Sequence, residues 1–223
     1  MKPLFAIVCA ALLIGAAPHP SVPHLSLHIQ RNSLDLLDTI AIAVVLDNTG
    51  STPVPVRFAL PSEYVIDVLH DKTTIWSSLP SKPPTASFPI HTRSLLPGTN
   101  TLAIYDWNEV ARDGTSPGPG AYLVRVRLLD VGAQPVATTS VRFVAPTPIS
   151  AIAKLPIGDA ITVAGHLDAL RGILTDATGS TKLPQRLLRA PLDAPVAVRG
   201  TITTDRSGAR YLTIIRWAPM SAP

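Results

Sequence analysis

The sequence predicts an all-β protein of two modules, and three observations support this. Short apolar segments alternate with turn-forming residues, and 23 prolines stand beside 13 glycines in 223 residues, which favours strands over helices. Hydrophobic residues make up 46% of the chain and charged residues 15%, which is enough apolar material to bury cores. Pro146 and Pro148 interrupt the strand pattern, so we expect a stiff linker over residues 146–156.

Residues 1–17 have the pattern of a secretory signal peptide. Lys2 supplies a positive charge, residues 4–15 are apolar, and small residues precede Pro18. The apolar run is shorter than the ~20 residues that a membrane-spanning helix needs. We therefore expect a cleaved signal and no transmembrane span in the mature form, with an uncleaved anchor as the alternative. The only cysteine, Cys9, lies in this segment, so we expect a secreted or periplasmic, cell-envelope protein without disulfides.

Residues 24–145 carry the alternation and turns of short antiparallel strands. Residues 64–69 alternate in β-branched and aromatic side chains, and residues 70–72 form a polar turn into the next strand. In residues 122–128, Arg125 and Arg127 lie opposite a row of apolar side chains. Such a strand is predicted to have one buried side and one side that faces water.

An ordered set of motifs runs through this first module. In chain order they are Leu46-Asp47-Asn48-Thr49-Gly50, a strand over residues 54–58, a hairpin ending at Trp76, a Leu96-Pro97-Gly98 turn, a strand closing on Trp107, and Pro119 to Tyr122. This order resembles the BsuPI-like domain, a family named for an intracellular proteinase inhibitor of Bacillus. The resemblance implies an immunoglobulin-like β-sandwich over residues 24–145. It also implies a protein partner, and the most specific form of this hypothesis is that the partner is a serine protease.

A proline-rich loop over residues 79–93 is the predicted contact with that partner. Loops on a rigid scaffold often carry binding, and a proline-stiffened loop loses less entropy when it docks. The residues expected to touch the partner are Lys82, Pro83, Pro84, Phe88 and Arg93. The alternative is that the loop is only a long connection. Trp76 and Trp107 are expected in the core, or as interface anchors if they are exposed.

The second module, residues 157–219, reads as a small barrel. The spacing Leu174-x-Asp176-x-x-Gly179 predicts a hairpin, and Val196-x-Val198-x-Gly200 predicts a strand. Together with three further strand segments these motifs resemble the OB-fold. The sequence therefore predicts an immunoglobulin-like β-sandwich followed by a small OB-like β-barrel.

The positive charge of the protein belongs to this second module. Residues 1–149 hold ten basic and ten acidic side chains, whereas residues 150–223 hold nine basic and five acidic ones. Arg199, Arg210 and Tyr211 are a candidate ligand groove for a glycan or a nucleic acid. Export argues against nucleic acid and favours a solvated basic face that meets anionic envelope surfaces. Tyr211 and Trp217 are six residues apart and are expected on one face of a strand.

Side-chain arrangements for catalysis or metal binding are not predicted. The chain has no G-x-S-x-G motif, and Asp71 beside His70 lies in a turn, where a solvated surface residue is the simpler interpretation. His24 and His28 on a strand would be ~13 Å apart and could not share one ion. We predict an exported, non-catalytic binding protein without cofactors. The alternatives are a structural or adhesive cell-envelope protein and an OB-type ligand binder.

Overall fold

The computed structural model of the chain describes residues 23–58, 62–79, 89–108, 110–132, 134–183 and 195–220. Strands account for 61% of the residues and helix for 3%, which confirms the predicted all-β class. The strands are β1 (His24–Ile29), β2 (Ser33–Leu34), β3 (Ile40–Asn48), β4 (Val54–Phe58), β5 (Tyr64–His70), β6 (Thr73–Ser77), β7 (His91–Leu95), β8 (Gly98–Trp107), β9 (Gly120–Leu128), β10 (Val136–Phe143), β11 (Ala160–Asp168), β12 (Ile173–Asp176), β13 (Gly179–Lys182), β14 (Pro195–Thr204) and β15 (Arg210–Pro219).

The first module consists of three sheets around one core. Their strand orders are β1-β3-β8, β2-β10-β9-β5-β6 and β4-β7. All pairings are antiparallel except that of β10 with β2. Alternate residues of β3 and β9, such as Ile42, Val44, Val124 and Val126, are fully buried. This follows from the two-residue period of a strand, which turns every second side chain inward.

A chain of ring contacts crosses the first core. Trp107, 1% exposed, has its ring centroid 5.8 Å from that of Trp76 and 5.9 Å from that of Phe143. Tyr122 continues the chain, 4.7 Å from Phe143 and 4.5 Å from His70. Tilted and stacked rings at these distances add about 0.5–1.5 kcal/mol per pair beyond the area that they bury. Trp107 is therefore a core residue, and Trp76 packs against the same core while partly exposed.

The turns of the first module have the predicted backbone. Asp71 and Lys72 have φ of 46° and 70°, the left-handed pair that a tight two-residue hairpin requires. Gly98 has φ of 93°, a left-handed conformation that favours glycine at the third position of the Leu96-Pro97-Gly98 turn.

The second module is one antiparallel sheet of five strands in the order β13-β12-β11-β14-β15, and its two edge strands β13 and β15 contact each other. A 3₁₀-helix, Ile149–Lys154, precedes the sheet and buries Ile149 and Ile152 in the second core. The carboxylate of Asp176 accepts the backbone N–H of Ile149 at 2.9 Å. This part of the predicted linker therefore packs on the second module.

A β-bulge in β15 changes which side chains share a face. Arg199 of β14 pairs with Arg216 of β15, but the next residue, Gly200, pairs with Ile214. Ile215 is therefore an extra residue without a partner on β14. Trp217 packs against the second core, whereas Tyr211 does not belong to that core. The prediction that Tyr211 and Trp217 share a face is wrong, because an extra residue in a strand reverses the alternation beyond it.

The two modules meet at the segment between β2 and β3. The carbonyl of Leu36 accepts the hydroxyl of Thr162 at 2.5 Å, and the carbonyl of Leu37 accepts a guanidinium N–H of Arg216 at 3.2 Å. Leu37 is 1% exposed and packs with Ala197 and Ala218 of the second module. This segment lies on the outer side of β11, β14 and β15. We refer to residues 35–39 and the groups that they contact as the junction.

Candidate functional site

Four of the five residues predicted to touch a partner, Lys82, Pro83, Pro84 and Phe88, lie outside the described residues. Arg93 lies on β7. Its guanidinium donates to the carboxylate of Glu63 at 2.7 Å and to the carbonyl of Thr101 at 3.5 Å. The side chain is 37% exposed, so the far end of residues 79–93 is fixed to a sheet and still reaches solvent.

The near end of the same segment is also held by the first module. Ser78 donates its N–H to the carbonyl of Ile66 at 2.8 Å, and the carbonyl of Leu79 accepts a guanidinium N–H of Arg112. A loop whose two ends are tied to strands has a defined starting geometry on its scaffold.

The three residues of the predicted ligand groove do not lie at one site. Arg210 and Tyr211 line one cleft of the second module, whereas Arg199 belongs to the junction. The guanidinium of Arg199 lies 3.4 Å from the carboxylate of Asp35 and 3.4 Å from that of Asp38, and its side chain is only 15% exposed. Arg199 is therefore neutralised by the first module and is not open to a ligand.

The cleft has a volume of about 530 Å³, within the range of sites for small ligands. It lies where β13 ends and where the β14–β15 hairpin turns. Its lining residues among the described parts of the chain are Lys182, Asp205, Ala209, Arg210 and Tyr211. The contact between the edge strands β13 and β15 brings Lys182 to the hairpin.

Asp205 shapes one wall of this cleft. Its Oδ1 accepts the hydroxyl of Ser207 at 2.5 Å and the backbone N–H groups of Ser207 and Ala209 at 2.8 and 3.0 Å. The Ser207 hydroxyl and these N–H groups together hold the pKa of Asp205 below its ordinary value, against a smaller opposing effect of burial. Gly208, with φ of 83°, completes the turn. The carboxylate therefore stays ionised and rigid.

The two cations of the cleft have different surroundings. Arg210 donates from Nη1 to the carbonyl of Leu155, which orients its guanidinium. The ammonium group of Lys182 makes no hydrogen bond or ion pair with any described residue. Two other basic side chains of this module have partners elsewhere: Arg216 binds the carbonyls of Leu37 and Asn108, and Arg171 lies 3.7 Å from Asp168. Within the described residues, Lys182 and Arg210 are the cations that line the cleft.

A second cleft, of about 450 Å³, lies in the first module. It is lined by Ser33, Pro119, Gly120, Arg142, Phe143, Val144 and Ala145. His70, which stacks on Tyr122 nearby, has its Nε2 3.9 Å from the Asp71 carboxylate, and both side chains are well exposed. No three metal-ligating side chains come together among the described residues.

The predicted ligand groove of Arg199, Arg210 and Tyr211 did not include Lys182 or Asp205, which also line the main cleft. Lys182 is 28 residues from Arg210 along the chain, and no local pattern relates them. The signal that was present is the Asp205-Arg206-Ser207-Gly208 loop, since Asp followed two residues later by Ser marks a side-chain-closed turn. That turn determines where Asp205 points its carboxylate.

Comparison with known proteins identifies no family for this chain. No family model and no curated protein matches it. Some solved structures are weakly similar. Spo0M, a sporulation control protein from Bacillus subtilis, is 11% identical over 82% of this chain and 75% of its own, with a TM-score of 0.36. The CARDB domain of the PF1109 protein from Pyrococcus furiosus is 15% identical over 61% of this chain and 100% of its own, with a TM-score of 0.33.

A β-glucosidase, EmGH1 from Erythrobacter marinus, is 16% identical over 56% of this chain, which corresponds to only 16% of the enzyme, with a TM-score of 0.32. Scores this low carry no argument about function. Within the described ranges, none of the helical structure is long and apolar enough to cross a bilayer.

Proposed function

We propose that this chain is an exported, non-catalytic binding protein whose ligand enters the cleft between β13 and the β14–β15 hairpin. The observation that supports this most directly is the pairing of Lys182, a cation without a partner among the described residues, with the oriented guanidinium of Arg210. Both lie beside Tyr211 in a concave surface. Convergent polar groups around one aromatic side chain are typical of recognition sites.

The strand order of the second module supports an OB-like barrel as the scaffold for this site. Strands β11, β12 and β13 form a meander, β14 returns beside β11, and β15 approaches β13. OB-folds place ligands on a strand face and on the loops that border it. The loop between β14 and β15 is such a border, because it contributes Asp205 and Ala209 to the cleft.

The test is a binding survey of the purified protein against glycan, peptide and single-stranded DNA libraries, followed by the same survey of Tyr211→Ala. We expect at least one ligand class to bind saturably and to lose binding in the variant. A folded protein that binds nothing, or that binds equally well without Tyr211, would contradict the proposed site. Export is tested separately, by determining the amino terminus of protein recovered from the cell envelope or the medium.

A second candidate function is serine-protease inhibition by residues 79–93. It is favoured by the attachment of both ends of this segment to the first module, through the contact of Leu79 with Arg112 and the position of Arg93 on β7. Under this hypothesis the residues that touch the protease are Lys82, Pro83, Pro84, Phe88 and Arg93. The measurement is residual activity of a protease panel titrated with the protein and with a form whose residues 82–88 are replaced by glycine and serine. Inhibition that survives the replacement, or no inhibition at all, counts against this candidate.

A structural or adhesive role in the envelope would be supported by an exposed apolar patch around Trp76 or Trp107. Trp107 is buried and Trp76 packs on the same core, so this observation does not favour that role. Contact of the remaining basic surface with anionic envelope material stays a proposal.

A further inference from the structure

We propose that the cleft between β13 and the β14–β15 hairpin recognises an acidic sugar, that is, a saccharide ring that carries a carboxylate. This inference rests on the proposed function as a binding protein and specifies the ligand class. It follows from three kinds of group that the cleft brings together: two cations, one carboxylate and one aromatic ring.

The cations specify a negative group on the ligand. Lys182 has an ammonium group without a partner among the described residues, so an incoming carboxylate displaces no existing protein contact there. Arg210 is held through Nη1 by the Leu155 carbonyl and keeps further N–H donors. Charge-assisted hydrogen bonds to a carboxylate are among the stronger polar contacts in proteins, and a fixed guanidinium matches the planar geometry of that group.

The carboxylate of Asp205 specifies hydroxyl groups on the same ligand. Three hydrogen bonds from its own turn end on Oδ1, and among the described residues none ends on Oδ2. A carboxylate oxygen accepts sugar hydroxyls readily, but it repels a ligand that is anionic at every position. A purely anionic group such as a bare phosphate therefore fits less well than a ring that combines one carboxylate with several hydroxyls.

Tyr211 specifies the ring. It is half-buried in the cleft and offers an aromatic surface with a polar tip, which suits the C–H face and the hydroxyl edge of a sugar. Single-stranded nucleic acid would need several stacking aromatics along an extended basic track. Here Arg199 and Arg216 are engaged at the junction, and the basic residues left near Tyr211 are Lys182, Arg210 and Arg206 of the β14–β15 loop, beside a single aromatic ring.

Isothermal titration calorimetry on the purified protein tests this with trigalacturonate, the neutral trigalactoside and an oligothymidylate. We expect trigalacturonate to bind at least about tenfold more tightly than either other probe, as one retained charge-assisted contact implies. Lys182→Ala and Tyr211→Ala should each weaken trigalacturonate binding about tenfold or more. Arg171→Ala removes the same charge from an exposed loop outside the cleft and should change the affinity less than about twofold.

Several results would overturn the inference. If the neutral trigalactoside binds as tightly as trigalacturonate, the cations have no role in recognition. If oligothymidylate binds more tightly than trigalacturonate, the ligand class is a nucleic acid. If Arg171→Ala loses as much affinity as Lys182→Ala, the attraction is unspecific. If trigalacturonate fails but another ligand class depends on Tyr211, the inference fails while the proposed function stands. If no ligand depends on Lys182 or Tyr211, both fail. Lys182→Arg, which keeps the charge, should retain binding, and circular dichroism spectra of Lys182→Ala and Tyr211→Ala that match the unaltered protein exclude misfolding as the cause of a loss.

Discussion

Aspartate side chains that close their own turns recur in this protein. The carboxylate of Asp113 accepts the hydroxyl and the N–H of Thr115 at 2.6 and 2.9 Å. Asp176 accepts the hydroxyl and the N–H of Thr178 at 2.7 Å each, and also reaches Ile149 of the 3₁₀-helix. Each carboxylate satisfies backbone donors that no strand partner would otherwise meet.

Because of these turns, the free energy of unfolding is expected to decrease at acid pH. Burial acts to raise the pKa of Asp176, but hydrogen bonds from Ile149, Thr178 and Gly179 outweigh it and hold the pKa below its ordinary value. The Thr115 hydroxyl and N–H lower the pKa of Asp113 in the same way. Since the folded pKa is the lower one, this stabilisation is present above an unfolded pKa of about 3.9 and is lost as pH falls through the folded value.

We therefore expect the urea midpoint to fall between pH 6 and pH 3, and to fall less in Asp176→Asn. At pH 6 the substitution should cost about 0.5–2 kcal/mol, the range for losing a capping carboxylate. The control is Asp159→Asn, an exposed aspartate for which no side-chain hydrogen bond is found among the described residues. An acid dependence in Asp176→Asn equal to that of the unaltered protein would contradict this assignment.

Gly165 is required by close backbone approach in the second module. A Cβ at this position would lie well inside contact distance of the Thr175 carbonyl on β12. Gly165→Ala should therefore force β11 and β12 apart and destabilise the protein by about 1–3 kcal/mol, as overpacking does. Gly118→Ala is the control, because nothing lies within 4 Å of a Cβ there. Thermal unfolding measures both, and similar midpoints for the two variants would count against this account.

At the scale of elements, a buried ion cluster ties β5 to β9. Asp67 is buried, and its Oδ2 lies 2.9 Å from Arg125 and 3.5 Å from Arg127. The strand pattern predicted the two arginines on the outer side of β9, opposite Val124 and Val126, and the structure confirms this. The pattern did not predict that a carboxylate of the neighbouring strand would be buried between them.

Asp67→Ala should destabilise the first module by about 1–3 kcal/mol, because it leaves two partly buried guanidinium groups without their shared acceptor. Asp106→Ala, an exposed aspartate on β8, should stay within about 0.5 kcal/mol. Urea denaturation followed by tryptophan fluorescence, with Trp217 of the second module replaced by phenylalanine in every variant, reports on this module, which contains Trp76 and Trp107. Equal losses in the two variants would show that the cluster adds no stability.

At the scale of the whole molecule, the junction couples the modules. Leu37 packs on the second module with a φ of 63°, an unfavourable conformation for leucine that costs about 1 kcal/mol and is outweighed by burial. Arg199 and Arg216 add ionic and polar contacts around it. Ser116 also donates its N–H to the carbonyl of Pro219 at 2.7 Å, which attaches the end of β15 to the first module.

Leu37→Ala should weaken this coupling and lower stability by about 2–5 kcal/mol, the range for truncating a buried leucine. We expect one calorimetric transition for the unaltered protein and two resolved transitions for the variant. Leu170→Ala, at a side chain that is 85% exposed, should change neither the number of transitions nor their midpoints. A single unshifted transition in Leu37→Ala would mean that the modules are not coupled through this contact.

Local sequence patterns are sufficient to specify the class of the protein, most strands and the tight turns. These depend on neighbours in the chain: alternation turns Val124 and Val126 inward, and Asp71, Lys72 and Gly98 accept the backbone angles that their turns require. The fold class and these turns could therefore be predicted without any contact between distant residues.

The set of side chains that form the candidate site depends on long-range packing. Arg210 and Tyr211 could be proposed from composition. Lys182 lies beside them because β13 approaches β15. Arg199 lies apart from them because it pairs with Asp35, 164 residues away along the chain. The bulge at Ile215 separates Tyr211 from Trp217 in the same way. Such outcomes depend on how sheet edges meet and on which surfaces are covered, and these are properties of long-range packing that a local pattern does not contain.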